Sequence, residues 1–186
     1  LQDYALRVTA PATWQWAQQA NTHIPKLQAF DDRGRRINTV HYHPCWHALL
    51  TLLREQGLVG LPYESQRTGR WSAWAAGFYL HGQVEQGSLC PATMTTAAIG
   101  VLRKEPALWA QVQAGLLSRR FDAQDRPWPD KQALWVGMGM TEKQGGSDVR
   151  ANTTEAVPEG DGGRGQAYRL TGHKWFYSAP MSDAHL

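Results

Sequence analysis

Cysteine is scarce in this chain: Cys45 and Cys90 are the only two among 186 residues. They show neither a CxxC spacing nor the even set of a disulfide framework, so two reduced thiols in a cytoplasmic protein is the plain reading. Long apolar runs are missing as well, and no membrane-spanning helix is expected. No N-terminal segment has the pattern of a secretory signal. Basic residues are not concentrated: 19 Lys and Arg against 16 Asp and Glu leave a net charge of +3, far from the dense tract of a dedicated nucleic-acid binder. Internal repeats are absent. An initiator Met is absent too, and Asp183-Ala184-His185-Leu186 follows a strand-like run without the character of a tail. The expectation is a piece of a longer protein.

Tryptophan, by contrast, is abundant, with nine residues, which points to large aromatic packing or ligand surfaces. The first two-thirds of the chain read as helical. Residues 12–22 have helical composition, and residues 31–40, with their charges and Gly34, read as a loop. A helix is expected from His43 to Glu55, with Pro44 in its first turn and Gly57 as its stop. Trp46, Leu49, Leu50 and Leu53 make its apolar face. Further helices are expected over Arg67–Gln86, from Pro91 onward, and over Ala107–Arg119 after Pro106. Residues 122–132 read as a linker. The character then changes. Residues 133–140 fit a buried strand, and 167–178 fit two strands joined at Thr171-Gly172-His173. Residues 159–166 hold four glycines and fit a hairpin loop. The fold class is α+β: a helical domain over 1–121, then the beginning of a β domain over 133–186.

Met138-Gly139-Met140-Thr141-Glu142-Lys143-Gln144-Gly145-Gly146-Ser147-Asp148-Val149 is the densest chemical segment. Gly145 and Gly146 allow a sharp turn and close approach to a ligand. Thr141 and Ser147 offer hydroxyls, and Met138 and Met140 offer adaptable apolar surface for a flat ring. These features fit a loop lying along a large cofactor, part aromatic and part phosphorylated. A second stretch is Leu170-Thr171-Gly172-His173-Lys174-Trp175-Phe176-Tyr177-Ser178, followed by Ser182-Asp183-Ala184-His185.

These two stretches, with His43-Pro44-Cys45-Trp46-His47-Ala48-Leu49 and Leu89-Cys90-Pro91-Ala92-Thr93-Met94-Thr95, make the chain resemble the acyl-CoA dehydrogenase flavoproteins. Lys143-Gln144-Gly145-Gly146, where many of them have Pro after the Glu, resembles the AidB-like, alkylation-response branch. The resemblance implies a helical N-terminal domain, a middle β-barrel and a C-terminal helical bundle, with FAD as cofactor. It implies that Met138, Gly139 and Met140 lie against the isoalloxazine, that Thr141 bonds the ring edge, and that Ser147 reaches the pyrophosphate. Glu142, Lys143, Gln144, Gly145 and Gly146 complete that loop. Phe176 matches a flavin-stacking Trp, Ser178 matches a Thr facing flavin N5, and Tyr177 lies between them. The implied reaction is dehydrogenation of an acyl thioester or related substrate by hydride transfer to N5. The catalytic base is a downstream Glu outside these residues, so none is assigned here. The branch further implies a homotetramer and contact with double-stranded DNA, mainly through the C-terminal domain. The alternative reading is accordingly a DNA-binding flavoprotein with little dehydrogenase activity.

Other clusters carry less. His41, His43, Cys45 and His47 resemble a metal site, but Cys45 and His47 do not share a helical face and no second ligand pair follows. Structural histidines and a buried thiol are the reading there, and no metal is assigned. Glu142 and Asp148 are acids beside the cofactor loop. Arg33, Arg35, Arg36, Arg119 and Arg120 read as a solvated face.

Overall fold

The computed structural model describes residues 1–186. Helices dominate as far as Leu117: α1 (Gln2–Val8), α2 (Pro11–Thr22), α3 (Pro44–Glu55), α4 (Leu61–Glu64), α5 (Arg70–Gly82), α6 (Leu89–Leu102) and α7 (Pro106–Leu117). Between α2 and α3 stands an antiparallel ribbon of β1 (Lys26–Phe30) and β2 (Arg36–His41). The last third holds β3 (Val136–Gly137), β4 (Glu155–Pro158), β5 (Tyr168–Thr171) and β6 (Ala184–His185). β3 pairs parallel with β6, and β4 pairs antiparallel with β5. The α+β organisation read from the sequence is the one found.

Local chemistry sets the helix ends. Pro11, Pro44 and Pro106 open their helices, where a missing N–H costs nothing. The His43 ring accepts the Cys45 amide at 3.3 Å and caps α3. Gly57, at φ +80°, ends the turn that follows, a conformation glycine adopts without strain. The Glu85 carboxylate accepts the Gly87 and Ser88 amides at 2.6 and 2.7 Å and shapes the entry to α6.

Leu50, Leu52 and Leu53 of α3 are buried with Ile99 of α6 and Leu116 of α7 in one fifteen-residue core. Leu134, Trp135 and Val136 belong to the same core, so β3 is docked on the helical body. Three polar ties fix that docking, and a fourth holds Asp183, just before β6, beside it. Val136 N donates to Thr95 Oγ1 at 3.1 Å, and Leu134 N to Gly115 O at 3.0 Å. Trp135 N donates to Asp183 Oδ2 at 2.7 Å, and Arg54 Nη2 donates to Leu134 O.

Three expectations need correction. Residues 36–40 are strand, not loop: the charged stretch is only the tip, where Asp31 accepts the Arg33 and Arg35 amides. Residues 167–178 make one strand, not two. Past Thr171 the chain leaves the sheet, and Phe176 takes φ +53°, which no strand allows. The partner of β5 is β4, joined to it through the glycine-rich segment. Finally, the expected strand over 133–140 narrows to Val136–Gly137. No helix is long and apolar enough to cross a membrane.

Candidate functional site

The Met138–Ser147 loop leaves β3 at the surface of the body, and a strap, residues 172–183, returns beside it to β6. Trp175 N donates to Thr141 O at 2.9 Å and joins the two directly. Tyr177 lies across Gly139, where an added Cβ would stand 2.0 Å from its ring, and 5.3 Å from the His185 ring. Gly139 is therefore required by the strap, and Tyr177 turns back toward β3 and β6. Its partial burial raises the phenol above its usual range.

Phe176, by contrast, is 87% exposed. A positive φ at a bulky residue is strained and persists only where neighbours impose it. Here the neighbours are Trp175, bonded to Thr141, and Tyr177, packed on Gly139.

Within the loop, Gly145 N closes a turn on Glu142 O at 3.0 Å. Gly145, at φ +105°, leaves open space where a Cβ would be. Gln144 Nε2 donates to Asn152 Oδ1, and Asn152 Nδ2 to Met140 O, both at 2.8 Å. The amides of Met140 and Thr141 find no acceptor within the protein. Met138 and Thr141 are half-buried, while Met140, Lys143, Gln144, Gly146, Ser147 and Ser178 are exposed. A flavin needs donors at its pyrimidine edge, an aromatic or apolar cover, and donors for its phosphates. The free amides and hydroxyl of Met140–Thr141, the Phe176 ring and the open turn at Gly145–Ser147 match that set.

Glu142 behaves differently from the rest of the loop. Its carboxylate is buried and accepts from the backbone and hydroxyl of Thr153, from those of Thr154, and from Lys174 Nζ at 2.9 Å. These bonds, the Thr153 amide foremost, hold it below the usual carboxylate range. A carboxylate so held is a poor general base at neutral pH.

Ser178 also borders a cleft of about 770 Å³ between β2, α3, the start of α6 and the strap. Tyr42, Trp46, Phe121 and Trp135 give it aromatic walls. Lys131 and Asp183, also in its lining, form a buried ion pair at 2.6 Å. Its size suits a small-molecule ligand. The sequence reading named none of Trp135, Lys131 or Asp183 as site residues. Only long-range pairing reveals them, although Asp183 lies in the motif that carried the resemblance.

The histidines are dispersed. His41 bonds Gln28 at 2.7 Å, His43 stacks on His23 at 4.7 Å, and His47 faces Tyr42 and Phe121. No three of the His, Cys, Asp and Glu side chains converge as a metal site would need. His81, seemingly isolated in the sequence, is buried between Tyr4 Oη at 2.7 Å and Ser88 Oγ at 2.8 Å.

Comparison with known proteins gives this arrangement its place. Residues 1–123 match the adaptive response protein AidB N-terminal domain. The chain is 49% identical over 169 residues to AidB of Escherichia coli (strain K12), whose name classes it provisionally as an acyl-CoA dehydrogenase; the match covers 90% of this chain and 30% of that protein. It is 30% identical over 171 residues to acyl-CoA dehydrogenase family member 11 of Caenorhabditis elegans, covering 91% and 27% respectively. Among solved structures, Bd2924 in its apo-form superposes with a TM-score of 0.81 at 31% identity, over 98% of this chain and 37% of that one. Caenorhabditis elegans ACDH-11 in complex with C11-CoA superposes with a TM-score of 0.73 at 28% identity, over 91% and 28%. The fold is thus that of the N-terminal part of acyl-CoA dehydrogenases. Within that class, the chain belongs to the AidB family. It spans under a third of the length of the curated relatives it matches.

Proposed function

We propose that the protein is an FAD-dependent oxidoreductase of the acyl-CoA dehydrogenase kind, and that this chain supplies one wall of its flavin site. The observation that carries the reading is the junction of loop and strap. One hydrogen bond, Trp175 N to Thr141 O, brings the unpaired donors of Met140 and Thr141 beside an exposed, strained Phe176. Met138, Gly139 and Met140 would lie along the ring system, and Thr141 would bond its polar edge. Gly145, Gly146 and Ser147 would accommodate the phosphates, flanked by Lys143 and Gln144. Phe176 would cover the ring, and the Ser178 hydroxyl would orient the hydride-accepting position. When bound, FAD supplies an acceptor for a hydride at N5.

The substrate proposed is an acyl-CoA or similar thioester, with its acyl end in the cleft that Ser178 borders. Two observations support it: the cleft reaches the strap, and the relative ACDH-11 was solved with C11-CoA. The base that would remove the neighbouring proton lies outside these residues.

The test is an anaerobic titration of the FAD-loaded, full-length protein with acyl-CoAs of increasing chain length. Bleaching of the flavin band by one thioester supports the reading and identifies the substrate. A flavin band that no thioester changes contradicts the dehydrogenase assignment and leaves the flavoprotein assignment standing.

A further inference from the structure

Beyond Gly137 the buried side chains are two carboxylates, that of Asp183, paired with Lys131, and that of Glu142 in the loop. A carboxylate has about four lone-pair positions. In Glu142, Oε2 accepts from the Thr153 amide and hydroxyl, and Oε1 accepts from the Thr154 amide and hydroxyl and from Lys174 Nζ. Nothing is left with which to bond a ligand, so Glu142 serves the site indirectly. The three segments it joins are the loop, the Thr153–Thr154 turn before β4, and the strap two residues ahead of Phe176.

We propose that Glu142 and Lys174 are a positioning pair: their part-buried contact sets the distance between the glycine-rich loop and the strap, so that Thr141 and Phe176 face one ligand together. The inference rests on the flavin reading above and removes Glu142 from the residues that touch the cofactor. Every feature needs the charged carboxylate. All five groups around it are donors, and a protonated or amidated side chain would turn a donor of its own toward one of them. The pair also accounts for Phe176. Its positive φ is imposed from the N-terminal side by Lys174 on Glu142 and Trp175 on Thr141, and from the C-terminal side by Tyr177 on Gly139.

The experiment compares the full-length wild type with Glu142→Gln, Lys174→Met and Lys174→Arg. Amide hydrogen exchange is measured without flavin, and FAD affinity and the bound-flavin spectrum are measured by titration. Glu142→Gln is expected to speed exchange at Thr153, Thr154 and Trp175 while leaving Leu53 and Ile99 protected. It should weaken FAD binding about tenfold or more and shift the bound spectrum. Lys174→Met should do the same to a smaller degree, and Lys174→Arg should stay close to the wild type. Wild-type affinity and spectrum in Glu142→Gln would overturn the proposal. So would loss of protection spread evenly through the helices, which marks general destabilisation. Failure of the wild type itself to take up FAD would overturn the flavin reading. The exchange data would then judge the clamp alone, and unchanged protection at the three amides in Glu142→Gln would sink it.

Discussion

The helical body and the segment after Gly137 are held together by different physics. The body buries a continuous apolar core, with Leu53, Leu58 and Ile99 inaccessible to solvent. The later segment buries two carboxylates, Glu142 and Asp183, and no apolar residue, and is fastened by charge-assisted hydrogen bonds at both. Apolar burial is non-directional and tolerates small shifts. Hydrogen bonds to ions fix distance and angle. The molecule uses the first to make a platform and the second to hold a loop in register over it. Within the body, Arg54 ties the end of α7 to the chain just ahead of β3. It is fully buried, lies 4.1 Å from the Trp135 ring centre, and donates to Leu116 O and Ser118 O at 3.0 Å as well as to Leu134 O. Burial pulls its guanidinium down to about 9, against the opposing field of Asp183, so it stays charged at neutral pH.

The contrast can be broken from the Arg54 side with the largest effect. Arg54→Ala leaves several buried carbonyls unpaired and is expected to cost about 3–5 kcal/mol. Urea unfolding would register it, and a loss below about 1 kcal/mol would show that apolar packing alone docks β3. Acid should separate the two regions next. Burial lowers the His81 ring to about 4, opposed by Glu85. Its contribution is therefore complete above the unfolded value of about 6.5 and is lost as pH falls through 4. Over that window the body should lose roughly 3 kcal/mol, and His81→Gln should flatten the dependence. Glu142 has the same sign at lower pH. Its contribution is present above the unfolded value of about 4.3 and disappears as pH falls through its depressed folded value. Exchange at Thr153 and Thr154 should thus accelerate only after the body has begun to loosen.

Gly139→Ala sharpens the comparison at the strap. Its methyl meets the Tyr177 ring, and about 1–3 kcal/mol of local strain is expected. It should appear as faster exchange at Trp175 rather than as a lower melting temperature of the body. Tyr79→Ser, at a residue 69% exposed on α5, should change stability by no more than about 0.5 kcal/mol. A larger loss in a melting experiment would mean that this face is covered.

The same division governs what could be read from sequence. Helices α3 and α7 were legible because Pro44 and Pro106 mark their starts and apolar residues recur at helical spacing. The α+β order was legible from the change of character after the linker. The β1–β2 ribbon was not, because Asp31–Arg36 outweighed the β-branched residues Ile37, Thr39 and Val40. The second strand assigned to 167–178 failed because strand propensity says nothing of a positive φ at Phe176. The ties made by Arg54, Asp183 and Glu142 depend on partners far along the chain or across a turn. The resemblance therefore gave Thr141, Ser147 and Phe176 as candidates along with Glu142 and Tyr177, and only the folded chain shows that the last two face inward.

The most direct test of the account is a reconstitution titration of the full-length protein with FAD, followed by visible absorption and by flavin fluorescence, alongside Thr141→Ala and Phe176→Ala. The account predicts a bound flavin in the wild type, weaker binding in Thr141→Ala, and an altered spectrum in Phe176→Ala. No binding by the wild type, or binding indifferent to both substitutions, would contradict the assignment of loop and strap as a flavin site.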